Sequence, residues 1–152
     1  MDALAWLSEQ IVVGTVIAVP DTAASPPAQP IAVLEVESRI RGAAADTLLL
    51  YACQFDTPSA IALTPGERML VFVRGIRRVD GEPLYQFVGA QQGLWRITAN
   101  GFVESPVLWS RNVPLDETIA AVYATLANGP DELTARRSHF VPLVEAPLVD
   151  AP

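Results

Sequence analysis

The chain has one histidine, His139, and one cysteine, Cys53, so any Ser-His-Asp or Cys-His nucleophile would have to be built on those two positions. His139 sits in RRSHFVP, a stretch with neither helical nor strand periodicity, and no G-x-S-x-G elbow occurs anywhere. Cys53 closes the apolar run TLLLYAC, where a lone thiol behaves as a small hydrophobe. It can form no internal disulfide, and no multi-thiolate zinc site can form around it. Glu35 and Glu37 stand at i and i+2 on one strand face, the spacing that could pair carboxylates for acid-base work. They lie opposite an apolar face, however, where water keeps carboxylates ordinary. Asp116-Glu117 and Asp131-Glu132 read as helix-start charges. No glycine spacing fits a dinucleotide fingerprint or a P-loop, and no EF-hand loop is present. These readings predict no catalytic residue, no metal and no cofactor.

One neighbourhood could bind. Tyr85, Trp95 and Arg96, with Arg77 and Arg78, bring aromatic faces and guanidinium groups into adjacent predicted strands, as a base- or sugar-stacking surface would need. Charge argues against nucleic acid. The net charge is -7, the ten cations are all arginine, and binding to phosphate depends on clustered cations releasing counterions. The expected partner is another protein, with a small ligand or oligosaccharide as the alternative.

Stepping outward to the elements, 152 residues that are 51% apolar and 18% charged suit one globular domain with one core. Residues 2 to 9 (DALAWLSE) predict a short docked helix with Leu4 and Leu7 on one side. QIVVGTVIAV reads as a β-branched strand in which Gly14 marks a bulge, bend or close approach. DTAASPPAQP is a loop. In IAVLEVESRIRG, Leu34, Val36 and Ile40 alternate with Glu35, Glu37, Arg39 and Arg41, which predicts one wet face. TLLLYAC is a third strand, more completely buried. Pro65-Gly66 fits a type II turn launching MLVFV, with Met69, Val71 and Val73 on one covered face and Leu70 and Phe72 on the other. Val79 to Glu82 and Asn100-Gly101 read as hairpin loops, and Gly89 and Gly93 predict a break before Leu94. Leu115, Ile119, Val122 and Leu126 predict a helix over 115–127, stopped by Asn128-Gly129-Pro130.

IVVGTV, VLEVESRIRG, LTPGERMLVFV and QQGLWRI, in that order, resemble a bacterial group of small extracytoplasmic domains of the netrin/TIMP-like branch of the OB-fold. Val12, Gly14 and Val16 match its first strand. Val36 and Gly42 match its second, where Leu34 replaces a valine, and Pro65, Gly66, Glu67, Leu70, Val71 and Phe72 match its third motif. The match spans residues 10 to 103 and consists of apolar and turn positions, which record a fold rather than a site. TIMP-like inhibitors act through an N-terminal cysteine, and none lies near the start here, so protease inhibition by that route is not carried over.

The expectation is therefore a mainly β domain over 1–129: a five- or six-stranded antiparallel OB-like barrel with a short N-terminal helix and one C-terminal helix. An extended tail, 130–152, docks on it. The function expected is non-enzymatic protein interaction. No transmembrane segment is predicted, and MDALAWLSEQ lacks a cationic leader. The location is extracytoplasmic if a leader precedes this sequence and cytoplasmic otherwise.

Overall fold

The computed structural model describes residues 2–19, 30–42, 45–51, 62–79, 82–104 and 113–129. Along these run α1 (Asp2–Leu7), β1 (Gln10–Ala18), β2 (Pro30–Arg41), β3 (Thr47–Tyr51), β4 (Arg68–Val79), β5 (Glu82–Phe87), β6 (Leu94–Ile97), β7 (Phe102–Glu104), β8 (Val113–Pro114) and α2 (Leu115–Asn128). The strands form one sheet of eight in the order β1-β2-β3-β5-β4-β6-β7-β8, and a further β1–β4 pairing closes the first five into a ring.

Two features of the sheet go beyond the expectation. The ring has five strands, within the five or six expected, but the sheet carries three more, and it is mixed, because β3 and β5 pair parallel. The second follows from the first five closing on themselves: strands that alternate in direction around an odd-numbered ring must meet one neighbour in parallel. The extra strands follow from the length of β4. Its second half pairs with β5, and its first half pairs on one side with β6 and on the other with β1. The chain leaves this ladder after Phe87, makes a 3-10 turn at Ala90–Gly93 and returns at Leu94. This is the interruption that the two glycines predicted.

Because the first half of β4 lies in the seam, both faces of its Met69–Val73 segment are covered, as the run MLVFV required. Met69, Val71 and Val73 pack inside the ring with Val12, Val16, Leu34, Leu50 and Phe87. Leu70 and Phe72 face the other way, into a second core with Ile11, Val13 and Trp95 that α1 and α2 cover with Leu4, Ala5 and Val122. The Pro65-Gly66 corner is a turn closed by Glu67 N–H donating to the Thr64 carbonyl (3.1 Å), with Gly66 at φ +93. It is tied to β1 as well, since Gly66 N–H donates to the Val16 carbonyl and Val16 N–H to that of Glu67. The hairpin at Asn100-Gly101 is present, and β4 meets β5 with Val79 opposite Glu82. Asp80, Gly81, the loop at 21–29 and the tail at 130–152 lie outside the described residues. The predicted C-terminal helix ends one residue later than expected, with Leu115, Ile119 and Leu126 half-buried against the second core and Val122 fully so.

Candidate functional site

Two of the five residues expected to bind, Trp95 and Arg96, lie on opposite faces of β6. Trp95 in β6 is fully buried in the second core, its ring 4.7 Å from that of Phe72 and its Nε1–H donated to the Gln92 carbonyl at 2.8 Å. Arg96, next in the strand, points to the opposite side. There its guanidinium binds Glu67 Oε2 at 2.6 Å and the Ala62 carbonyl at 2.9 Å. Tyr85 in β5 packs against the core inside the ring. Arg77 and Arg78 stand opposite Leu84 and Pro83 towards the far end of β4, whereas Arg96 stands opposite Met69. Nine positions along a strand separate Met69 from Arg78, about 30 Å of chain. Alternation explains the split, because neighbours in a strand must face opposite ways.

The polar side chains that do converge are ion pairs across strands. On the outer face Arg68 of β4 reaches Glu37 of β2 through Nε and Nη2 at 2.9 and 2.8 Å, and Thr15 of β1, lying between them, donates to the other Glu37 oxygen at 2.6 Å. The Arg68 hydrogen bond holds the Glu37 carboxyl below its usual value, aided by Thr15 and opposed by partial burial. A carboxyl held ionised in this way is a poor proton donor at neutral pH. Where the start of β4 meets the end of β6, Glu67, Arg68, Arg96, Ile97, Thr98 and Glu104 line an open depression of about 200 Å³. Among the described residues no three of His, Cys, Asp and Glu cluster as metal ligands. Cys53 and His139 lie outside the described residues.

A different surface emerges on the outer side of β1, β2 and β3. Ala32 and Leu34 of β2 and Leu48 and Leu50 of β3 fill the ring, so alternation turns Val33 and Leu49 outward, where they pair directly in the ladder. Neither is fully buried. At the end of β1, Ile17 is 47% and Val19 37% exposed, with Ala18 opposite Val33. One outward step along the same ladder, Glu35 faces Thr47 and gives the strip a polar border. Sequence reading missed this strip for a simple reason. Three consecutive leucines at 48–50 contain no polar residue to mark the outward position, so the strand reads as buried on both sides. The alternation that places Val33 outward was legible in IAVLEVES, where it falls in step with Glu35 and Glu37.

A scan of the chain against protein-family models, a search of curated proteins and a search of solved structures each find no match.

Proposed function

We propose that this chain is a non-enzymatic protein-interaction module, an OB-like barrel of the netrin/TIMP-like type that works outside the cytoplasm. The observation that carries the reading is the filled ring: Val12, Leu34, Leu50, Met69 and Val71 occupy its inside and are buried. A small barrel packed in this way has its outer surface left for recognition. The strand order around the ring, with one parallel pair between the third and fifth strands, supports the OB-like reading. Barrels of that type bind over the face of their second and third strands, the face on which Val33 and Leu49 stand outward. The half-buried pair Val33 and Leu49, with exposed Ile17 and Val19 near it and a polar border at Glu35 and Thr47, is a surface that a protein partner would cover. The extracytoplasmic setting rests on the resemblance of residues 10 to 103 alone.

The test is partner capture by the tagged chain and by the double variant Ile17→Asp with Leu49→Thr, with melting temperatures measured alongside. Capture lost by the variant at unchanged melting temperature supports the reading. Capture unaffected by it overturns the strip as the interface. A second reading, a small-ligand or oligosaccharide site, draws on the charged depression beside Arg96. It calls for a melting temperature raised by oligosaccharide in the unmodified chain and not in Arg96→Ala.

A further inference from the structure

We draw no further inference here: the strongest candidate, the open charged depression where the start of β4 meets the end of β6, has both its guanidinium groups already bound to Glu37 and Glu67 of the same chain, and nothing in the structure shows what covers it.

Discussion

A Cβ built on Gly14 falls 2.5 Å from the Glu35 carbonyl oxygen and 2.8 Å from Leu34 Cγ. The neighbouring strand therefore fixes glycine there through its backbone, which cannot turn aside as a side chain can. At Gly66 space is open but φ is +93, so the constraint is conformational. Gly14→Ala is expected to cost about 1–3 kcal/mol by forcing β1 and β2 apart. Gly66→Ala should cost only about 1 kcal/mol, the strain of a left-handed residue. Urea unfolding of the two variants checks the order, and equal midpoints would refute it. Glu37 gives a pH-dependent case. Its folded pKa is lowered, so its pairing with Arg68 stabilises the domain above the ordinary glutamate range and fades as pH falls through the lowered value. Both partners are more than a third exposed, at 43% for Arg68 and 35% for Glu37, and the contribution should stay below about 1 kcal/mol. Glu37→Gln is thus expected to lower the urea midpoint slightly at pH 7 and not at all in acid. A difference that persists below the lowered value would assign the loss to packing instead.

Helix α1 has six residues, too few to be stable unless docked. Its attachment combines three devices. Leu4 and Ala5 are buried in the second core, Trp6 Nε1–H donates to the Thr125 carbonyl of α2 at 3.3 Å, and Arg41 at the end of β2 donates to the Ala5 carbonyl at 2.7 Å. The Arg41 guanidinium also lies 5.1 Å from the centre of the Trp6 ring. A cation placed there meets the orphan carbonyls of the last helical turn. Arg41→Ala should lower stability by about 1–2 kcal/mol, since a charged hydrogen bond and the stacking are lost together. Hydrogen exchange at residues 4–10 should rise more than in β4, and a uniform rise would mean that α1 is not separately held. The apolar spacing of α1, α2 and MLVFV was legible because each states its own period. The wet face read into β2 was only partly so. Arg41 turns out to be a helix partner, and Ile40 joins the second core rather than the one holding Leu34 and Val36. Bulges in β2 at Ile40, opposite Ile11/Val12, and at Glu37, opposite Val13/Gly14, shift the register between these positions, and a strict period of two cannot register an inserted residue. The parallel β3–β5 pair was equally hidden, being a property of ring closure and not of either strand.

At the scale of the whole molecule, two cores back onto one another through β1 and β4, so those strands have no solvent face along most of their shared length. This arrangement turns the expected binding residue Trp95 into the keystone of the second core, between Phe72 and the helices, while Ile17 and Val19 stand exposed at the end of β1 and Tyr123 on α2. The sequence could not separate these roles, because an aromatic beside an arginine reads alike whether a helix covers it or a ligand does; only long-range packing distinguishes them. Stability measurements can. Truncating a fully buried tryptophan removes about 3–5 kcal/mol, against a total of about 5–15 kcal/mol for a domain of this kind. Trp95→Ala should therefore unfold at markedly lower denaturant and lose near-ultraviolet circular dichroism, with any loss of partner binding following from unfolding. Ile17→Asp, at a site already 47% exposed, should change stability by no more than about 0.5 kcal/mol. If both variants are examined by urea unfolding, only the first should move the midpoint. A stable Trp95→Ala would mean that α1 and α2 close over the gap at little cost and that the second core is not what holds them to the ring.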